Sequence, residues 1–247
     1  MHSETIDNMQ RRLHQSVTGF VYEAPVITEN FPPNIVGSCS DNVSVSDNSK
    51  AIFNESVNFA GGSVIIKVNS KGTLLIGKGV TLNNCRIEVA GENCVVYIGD
   101  NCKLSHVTII AKRTGSVIYI GANTTWESGS AQNGHGKIIS IGSDCMFSNG
   151  VVLRTSDGHG IFSADTKELL NPHDDVFIGH HVWLGNAVRV NKGSVIGSGS
   201  VLGQTSVVSG EVDGNCIYAG IPARKIKERI VWSRSDTYEQ IPNEYRI

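Results

Sequence analysis

The chain has 247 residues, of which 21 are Lys or Arg and 23 are Asp or Glu, so its formal charge is close to neutral. This balance excludes the basic field with which proteins attract nucleic acid. Aromatic residues make up 6% of the chain and glycine occurs 27 times, a composition that favours short strands broken by turns over long helices.

The N-terminal segment, residues 1–33, contains no sequence repeat. Residues 4–15 suit a short helix, with a flexible arm as the alternative, and the FPPN sequence at residues 31–34 marks a boundary. The segment lacks the apolar core of a signal peptide, and no stretch approaches the roughly 18 apolar residues of a membrane span. We therefore expect a soluble, cytoplasmic protein.

Residues 34–218 are predicted to form one repetitive domain. In its clearest part, residues 178–208, an aliphatic residue recurs at every sixth position and a small or β-branched residue follows four positions later. A period of six fits neither the about 3.6 residues of a helical turn nor the period of about two of a strand, so it indicates a repeated strand-and-turn unit. Three units would make one turn of an all-β, three-sided parallel β-helix with the aliphatic residues stacked inside. The aliphatic positions are Ile178, Leu184, Val190, Ile196, Leu202 and Val208, and the small positions are Val182, Val188, Ser194, Ser200, Ser206 and Val212.

The earlier coils can be followed by Ile-Gly pairs, whose isoleucines are residues 76, 98, 120, 141, 178 and 196. The intervals between them are 22, 22, 21, 37 and 18 residues, and 18 residues make three bare hexapeptides. We therefore expect a few extra residues at the corners of the early coils. The interval of 37 predicts one coil plus a protruding loop, at about residues 159–171. Long excursions from a regular scaffold commonly carry function.

The six cysteines are scattered without a CxxC pair. This spacing indicates neither a zinc site nor a disulfide framework. Cys102 and Cys145 occupy the small position of the repeat, which predicts reduced thiols that face the core.

After Val208 the repeat fades, and residues 219–247 form the predicted C-terminal segment. The stretch from Arg224 to Arg229 suits the start of a basic helix, with Ile226 and Ile230 on one face. We expect this helix to cap the open end of the solenoid, which otherwise exposes backbone and apolar surface.

The hexapeptide run followed by AGIPARKIKE, residues 219–228, resembles the left-handed β-helix acyltransferases, which use acetyl-CoA and work as trimers. The segments LRTSDGH (153–159), VWLG (182–185) and WSRSD (232–236) are similar in particular to bacterial capsule O-acetyltransferases that act on polysialic acid. The left-handed sense comes from this resemblance alone. The resemblance implies a homotrimer that transfers acetyl from acetyl-CoA to a hydroxyl of a sialic acid-containing surface polysaccharide, without a metal.

Acyl transfer to a sugar hydroxyl needs a base that works near neutral pH, and histidine is the natural candidate. His159 matches the catalytic base of the family and opens the predicted loop. Trp183 matches a family tryptophan that flanks the reaction centre, with packing at the trimer interface as the alternative. His135 and His173 are candidate contacts of the acceptor.

Two further histidines, His180 and His181, lie on a coil face and are expected only to decorate it. Matching positions along the solenoid suggest acetyl-CoA contacts at Asn186, Gly203, Gln204, Ser209, Arg224 and Lys227. Many relatives carry a Thr-Lys pair where this chain has Ser209-Gly210, so one expected phosphate contact is missing.

A count of sides predicts where the active site lies. If the units that begin at residues 141, 147 and 153 are sides one, two and three, Ile178 lies on side two and Leu184 on side three. His159 and Trp183 of one chain would then be separated by a side of up to about 20 Å. We therefore predict active sites at subunit boundaries, with His159 of one chain facing Trp183 and the CoA channel of its neighbour.

Three alternatives stay open at this point. The same scaffold could acetylate a small molecule such as a free sugar, serine or an antibiotic. A zinc carbonic anhydrase on this type of helix needs three ligating histidines, which His173, His180 and His181 fit poorly. A non-catalytic solenoid would explain the repeats but neither the SDGH loop nor the basic C-terminal segment.

Overall fold

The computed structural model describes residue 11 and residues 42–54, 56–61 and 63–247. The predicted arm or helix of residues 1–33 lies outside this part of the chain, apart from Arg11. The elements within the described part are 25 strands and two short 3-10 helices.

The strands form the three sides of a triangular solenoid. The chain visits side A, side B and side C in turn, and strands of the same side in successive coils pair in parallel, apart from the last pair on side C. Side A comprises β1 (Val43–Val45), β4 (Ile65–Asn69), β7 (Arg86–Ala90), β10 (Val107–Lys112), β13 (Gly129–Asn133), β16 (Val151–Arg154), β19 (Arg189–Val190) and β22 (Val207–Val208). Side B comprises β2 (Lys50–Phe53), β5 (Thr73–Ile76), β8 (Val95–Ile98), β11 (Val117–Ile120), β14 (Ile138–Ile141), β17 (Val176–Ile178), β20 (Val195–Ile196) and β23 (Glu211–Val212). Side C comprises β3 (Asn58–Ala60), β6 (Thr81–Asn83), β9 (Lys103–Ser105), β12 (Thr125–Trp126), β15 (Met146–Phe147), β18 (Trp183–Leu184), β21 (Val201–Leu202), β24 (Ile217–Ala219) and β25 (Arg224–Lys227). The predicted all-β parallel β-helix is confirmed.

The hexapeptide residues occupy the predicted inward positions. The six repeating aliphatic residues between 178 and 208 are at most 2% exposed, and the six small residues are at most 1% exposed. Leu184, for example, pairs with Phe147 below and Leu202 above, so the aliphatic side chains stack from coil to coil. Cys102 and Cys145 are buried free thiols, as predicted.

The Ile-Gly pairs all end strands of side B, and their glycines lie at the B/C corner. A Cβ built on Gly142 would lie 2.5 Å from the carbonyl oxygen of Gly179, and one on Gly121 would lie 2.6 Å from the backbone of Gly142. Glycine recurs there because successive coils approach too closely for a side chain.

The outer face of side B is also apolar and buried. Leu75, Tyr97, Tyr119 and Phe177 belong to a second hydrophobic cluster on this face, in which the rings of Tyr97 and Tyr119 stack with centroids 4.9 Å apart. Strands buried on both faces have near-continuous apolar sequences, which is why side B carries the strongest hydrophobic runs of the chain.

The count of sides was wrong by one. Ile178 pairs with Ile141 on side B, so these two residues share a side. The protruding loop interrupts the unit that begins at Leu153, and residues 172–177 complete that unit without adding a side. Residues 155–175 separate β16 from β17 at the A/B corner, span the predicted loop of about residues 159–171, and contain a bridge between Phe162 and Leu169.

The predicted C-terminal helix from Arg224 is also wrong. Arg224–Lys227 is the strand β25, which pairs antiparallel with β24 at the end of side C. The last strand of a sheet leaves backbone groups unpaired, and an added strand satisfies them. A helix would need an apolar face to bury, whereas Ile226 is 67% exposed.

No helix among the described residues is long and apolar enough to cross a membrane.

Candidate active site

His159 stands in the protruding loop on a backbone that is held from both sides. The Asn171 amide donates hydrogen bonds to the His159 carbonyl oxygen and to Asp157 Oδ2, both at 2.9 Å. The Asn171 side-chain oxygen accepts a bond from the Ile161 N–H at 2.6 Å. Since His159 itself is exposed, its imidazole projects from a fixed support.

Lys192 ties the base of this loop to the next coil. Its Nζ lies 2.6 Å from Asp157 Oδ2 and donates to the Asn171 carbonyl oxygen at 2.8 Å. The hydrogen bond from Lys192 lowers the pKa of the Asp157 carboxyl. A carboxylate with a lowered pKa keeps its ion pair through neutral pH and loses it only in acid.

His135 and His173 stack at the A/B corner next to this loop. Their ring centroids are 3.7 Å apart, and His173 Nδ1 is buried without a hydrogen-bond partner among the described residues. Desolvation, helped by His173 and Arg113, lowers the pKa of His135. The two candidate acceptor contacts thus lie beside the loop that carries His159.

Trp183 begins β18 on side C and faces outward, with 37% of its surface exposed. It pairs with Met146 in the coil below and with Val201 in the coil above. In a three-sided coil, side C lies opposite the A/B corner from which the His159 loop emerges. The corrected count of sides therefore keeps the two residues of one chain apart.

The positions suggested for acetyl-CoA fall into two groups. Asn186, Gly203 and Gln204 lie at the C/A corner, where the Thr205 N–H donates to the Asn186 carbonyl oxygen at 2.6 Å. Arg224 and Lys227 are exposed on β25, at the end of side C. Ser209 instead lies at the A/B corner, where its hydroxyl accepts a bond from Asn191 at 3.0 Å. Ser209 therefore lies at the same corner as His159, whereas the other five suggested positions lie on or beside side C, which carries Trp183.

A cluster around His181 was missed by the sequence analysis. His181 is only 2% exposed and does not decorate a face as expected. Its ring lies between the rings of Trp232 and Tyr245, with centroids 4.0 and 4.2 Å away. Its Nδ1 lies 2.7 Å from Asp144 Oδ2 and its Nε2 lies 3.0 Å from the Trp232 carbonyl oxygen. The neighbouring His180 is partly buried, and its Nδ1 accepts a bond from the Ser143 N–H at 3.0 Å.

Arg234 completes this cluster. Its guanidinium donates to Asp144 Oδ1 at 3.2 Å, to the Thr125 hydroxyl at 2.9 Å and to the Cys145 carbonyl oxygen at 2.9 Å. Trp232 and Arg234 both belong to the WSRSD motif, which was the sequence signal for this contact. The ring of Trp232 lies 5.9 Å from that of Trp183, so the cluster borders the candidate site.

Within the described part of the chain, no group of three or more His, Cys, Asp or Glu residues is arranged to hold a metal ion. No known protein-family profile matches the chain.

Three comparisons with known proteins agree with one another. The chain is 42% identical over 151 residues to a polysialic acid O-acetyltransferase of Escherichia coli O1:K1, in a match that covers 61% of this chain and 48% of that protein. It is 36% identical over 184 residues to a polysialic acid O-acetyltransferase of Neisseria meningitidis, covering 66% of this chain and 86% of that protein. The crystal structure of the polysialic acid O-acetyltransferase OatWY superposes with a TM-score of 0.73 at 29% identity, over 80% of this chain and 96% of that one. The solenoid therefore matches the left-handed β-helix that the resemblance implies, and the chain spans about half the length of the E. coli relative.

Proposed function

The chain belongs to the family of polysialic acid O-acetyltransferases, and on that premise we propose that it transfers acetyl from acetyl-CoA to a hydroxyl of a sialic acid-containing surface polysaccharide. The observation that carries the proposal is the placement of His159 and Trp183. An exposed imidazole on a clamped loop stands at one corner of the triangle, and an exposed indole stands on the opposite side.

His159 acts as the general base. Its imidazole takes the proton of the acceptor hydroxyl while the hydroxyl oxygen attacks the thioester carbonyl. The tetrahedral intermediate then collapses, the carbon–sulfur bond breaks, and the imidazolium returns the proton to the CoA thiolate. The acetyl group passes directly to the sugar, so no acyl-enzyme forms. The hydrogen bonds from Asn171 support this role because they fix the backbone that carries the ring.

Each active site lies between two copies of the chain in a homotrimer. The A/B corner of one copy faces side C of the next, and such a head-to-tail contact closes into a ring after three copies. His159 then meets Trp183 of the neighbour, which neither copy achieves alone. Ser209 reaches the site from the copy that supplies His159, since both lie at the A/B corner.

Acetyl-CoA follows the C/A corner and side C of the copy that supplies Trp183. The polar backbone at Asn186, Gly203 and Gln204 receives the pantetheine amides. The side chains of Arg224 and Lys227 are exposed on β25 and meet the phosphates. Trp183 forms the wall that orients the thioester.

The acceptor approaches from the A/B corner. The stacked rings of His135 and His173 lie there beside the loop, and they contact the sugar whose hydroxyl His159 deprotonates.

The deciding experiment is release of CoA from acetyl-CoA in the presence of candidate acceptors. We expect release with polysialic acid chains, and little with free sialic acid or with neutral capsular polysaccharide. Equal rates with free sugar and polymer would support a small-molecule acetyltransferase instead. Absence of CoA release with every acceptor, together with absence of CoA binding by calorimetry, would leave a non-catalytic solenoid.

A further inference from the structure

The C-terminal tail, residues 230–247, runs along the B/C corner of the solenoid. The Ile230 N–H donates to the Asn215 carbonyl oxygen at 2.8 Å, and the Trp232 indole donates to the His181 carbonyl oxygen at 2.8 Å. Arg234 continues to Asp144 in the coil below. The tail thus contacts the B/C corner at Asn215, His181 and Asp144, and the coil of Gly199 lies between the first two of these contacts.

These three partners share one backbone conformation. Their φ angles are 52°, 51° and 56°. Asn101 and Asn123, at the same corner of earlier coils, have similar φ angles of 57° and 60°. Asparagine, aspartate and histidine are enriched in this left-handed region, and glycine adopts it freely.

Both ring nitrogens of His181 face hydrogen-bond acceptors. Nδ1 meets the Asp144 carboxylate and Nε2 meets the Trp232 carbonyl oxygen. A neutral imidazole donates from only one nitrogen, whereas the doubly protonated ring donates from both. The arrangement is fully satisfied only when His181 carries both protons, and the resulting cation lies between two aromatic faces.

We propose that His181 is a positioning residue whose doubly protonated ring locks the C-terminal tail onto side C and thereby holds Trp183 in place. The rigid link is short, because His181 precedes Trp183 by two residues and the Trp232 ring lies 5.9 Å from that of Trp183. The part of the inference that concerns catalysis rests on the proposed function, whereas the locking of the tail does not.

The charged and titratable groups that surround His181 come from several elements. They are the Asp144 carboxylate before β15, Arg234 and the Trp232 carbonyl from the tail, the Tyr245 phenol with Glu244 beside it, and the Cys145 thiol next to Asp144. Burial raises the pKa of Tyr245 and that of Cys145 to about 12, so both keep their protons at neutral pH. Because the docked tail needs a ring that donates from both nitrogens, a side chain that cannot do so should release the tail.

The test compares His181→Asn with His106→Asn in the full-length protein. Asparagine suits the left-handed backbone, and His106 has the same φ of 51° at a corner where its ring contacts Asn84. Tail docking is measured without substrate, by the rate of tryptic cleavage after Arg234 and by the near-ultraviolet circular dichroism of the neighbouring indoles. At neutral pH we expect His181→Asn to be cleaved about tenfold faster than the wild type, because its tail is open more often. His106→Asn should be cleaved at the wild-type rate.

Activity measurements then separate the two parts of the proposal. We expect kcat of His181→Asn to fall by about tenfold or more while KM for acetyl-CoA changes little, because the substrate still binds but Trp183 is less well placed. A tail that stays protected in His181→Asn overturns the lock. A released tail with unchanged kcat overturns the positioning of Trp183. If the wild type transfers no acetyl group to any acceptor, the proposed function fails, whereas the cleavage result stands by itself.

A second variant guards against a folding defect. Asp144→Asn keeps a residue suited to this corner, since Asn123 occupies the equivalent position one coil below. It removes the carboxylate shared by His181 and Arg234, and we expect the same rapid cleavage. Protection of the tail in Asp144→Asn would contradict the proposed ion pair.

Discussion

His159 and His181 carry the same side chain in opposite surroundings. His159 is exposed on a loop whose backbone is clamped by Asn171, whereas His181 is enclosed by two rings and faces acceptors at both nitrogens. An exposed imidazole exchanges its proton with solvent and substrate, as a base must. An enclosed one with both nitrogens engaged serves structure instead.

The first prediction at the residue scale concerns His159→Ala. We expect kcat to fall by about 10² to 10⁴, the usual contribution of general base catalysis. The free energy of unfolding should change little, because the side chain is exposed and only the backbone of His159 takes part in the clamp. Initial rates of CoA release and urea unfolding measure the two effects.

His106→Asn is the matched control, since His106 is also exposed and asparagine suits its φ of 51°. It should retain the wild-type rate of transfer. A His159→Ala variant with the same rate as His106→Asn would exclude His159 as the base.

At the scale of elements, the corners limit which residues the repeat accepts. Six of the eight side B strands are followed by a glycine that lies against the next coil, and a Cβ on Gly142 would meet the Gly179 carbonyl oxygen at 2.5 Å. Gly134, at the A/B corner, has more space, since its nearest contact would be the Lys112 carbonyl oxygen at 3.6 Å.

Gly142→Ala should therefore lower the free energy of unfolding by about 1–3 kcal/mol, the usual cost of an inserted methyl group in a packed region. Gly134→Ala should stay within about 0.5 kcal/mol of the wild type. Urea denaturation followed by far-ultraviolet circular dichroism gives both values. Equal stabilities of the two variants would show that the coils can separate at the B/C corner at no cost.

At the scale of the whole molecule, His159 and Trp183 lie on parts of the triangle that face apart. In the proposed trimer the A/B corner of one chain meets side C of a second copy, and the proposed catalysis depends on that contact. Complementation between inactive chains tests this directly.

Co-expression of His159→Ala with Trp183→Ala chains should restore activity that neither variant has alone. In random mixtures about a quarter of the boundaries receive both intact residues, so the rate should return to about a quarter of the wild type. Purified trimers with two different affinity tags allow this measurement. Mixed trimers that stay inactive would place both residues of each site on one chain.

The sequence by itself determined the solenoid, its inward aliphatic positions, the buried thiols and the protruding loop. It could do so because each coil of a solenoid contacts only its neighbours, so a local period already specifies the tertiary contacts. The roles proposed for His159 and Trp183 came instead from the resemblance of their motifs to those of a known family.

Only the tertiary structure decided the features that have no period. It showed that Ile178 shares a side with Ile141. The sequence alone did not show this, because an inserted loop leaves open which side the chain rejoins. It also showed that Arg224–Lys227 is a strand paired with an open sheet edge, and backbone pairing of this kind leaves no pattern in the side chains. It also showed that the ring of Trp232 packs against His181, which lies 51 residues earlier in the sequence. This contact is made once, so no repeat in the sequence indicates it.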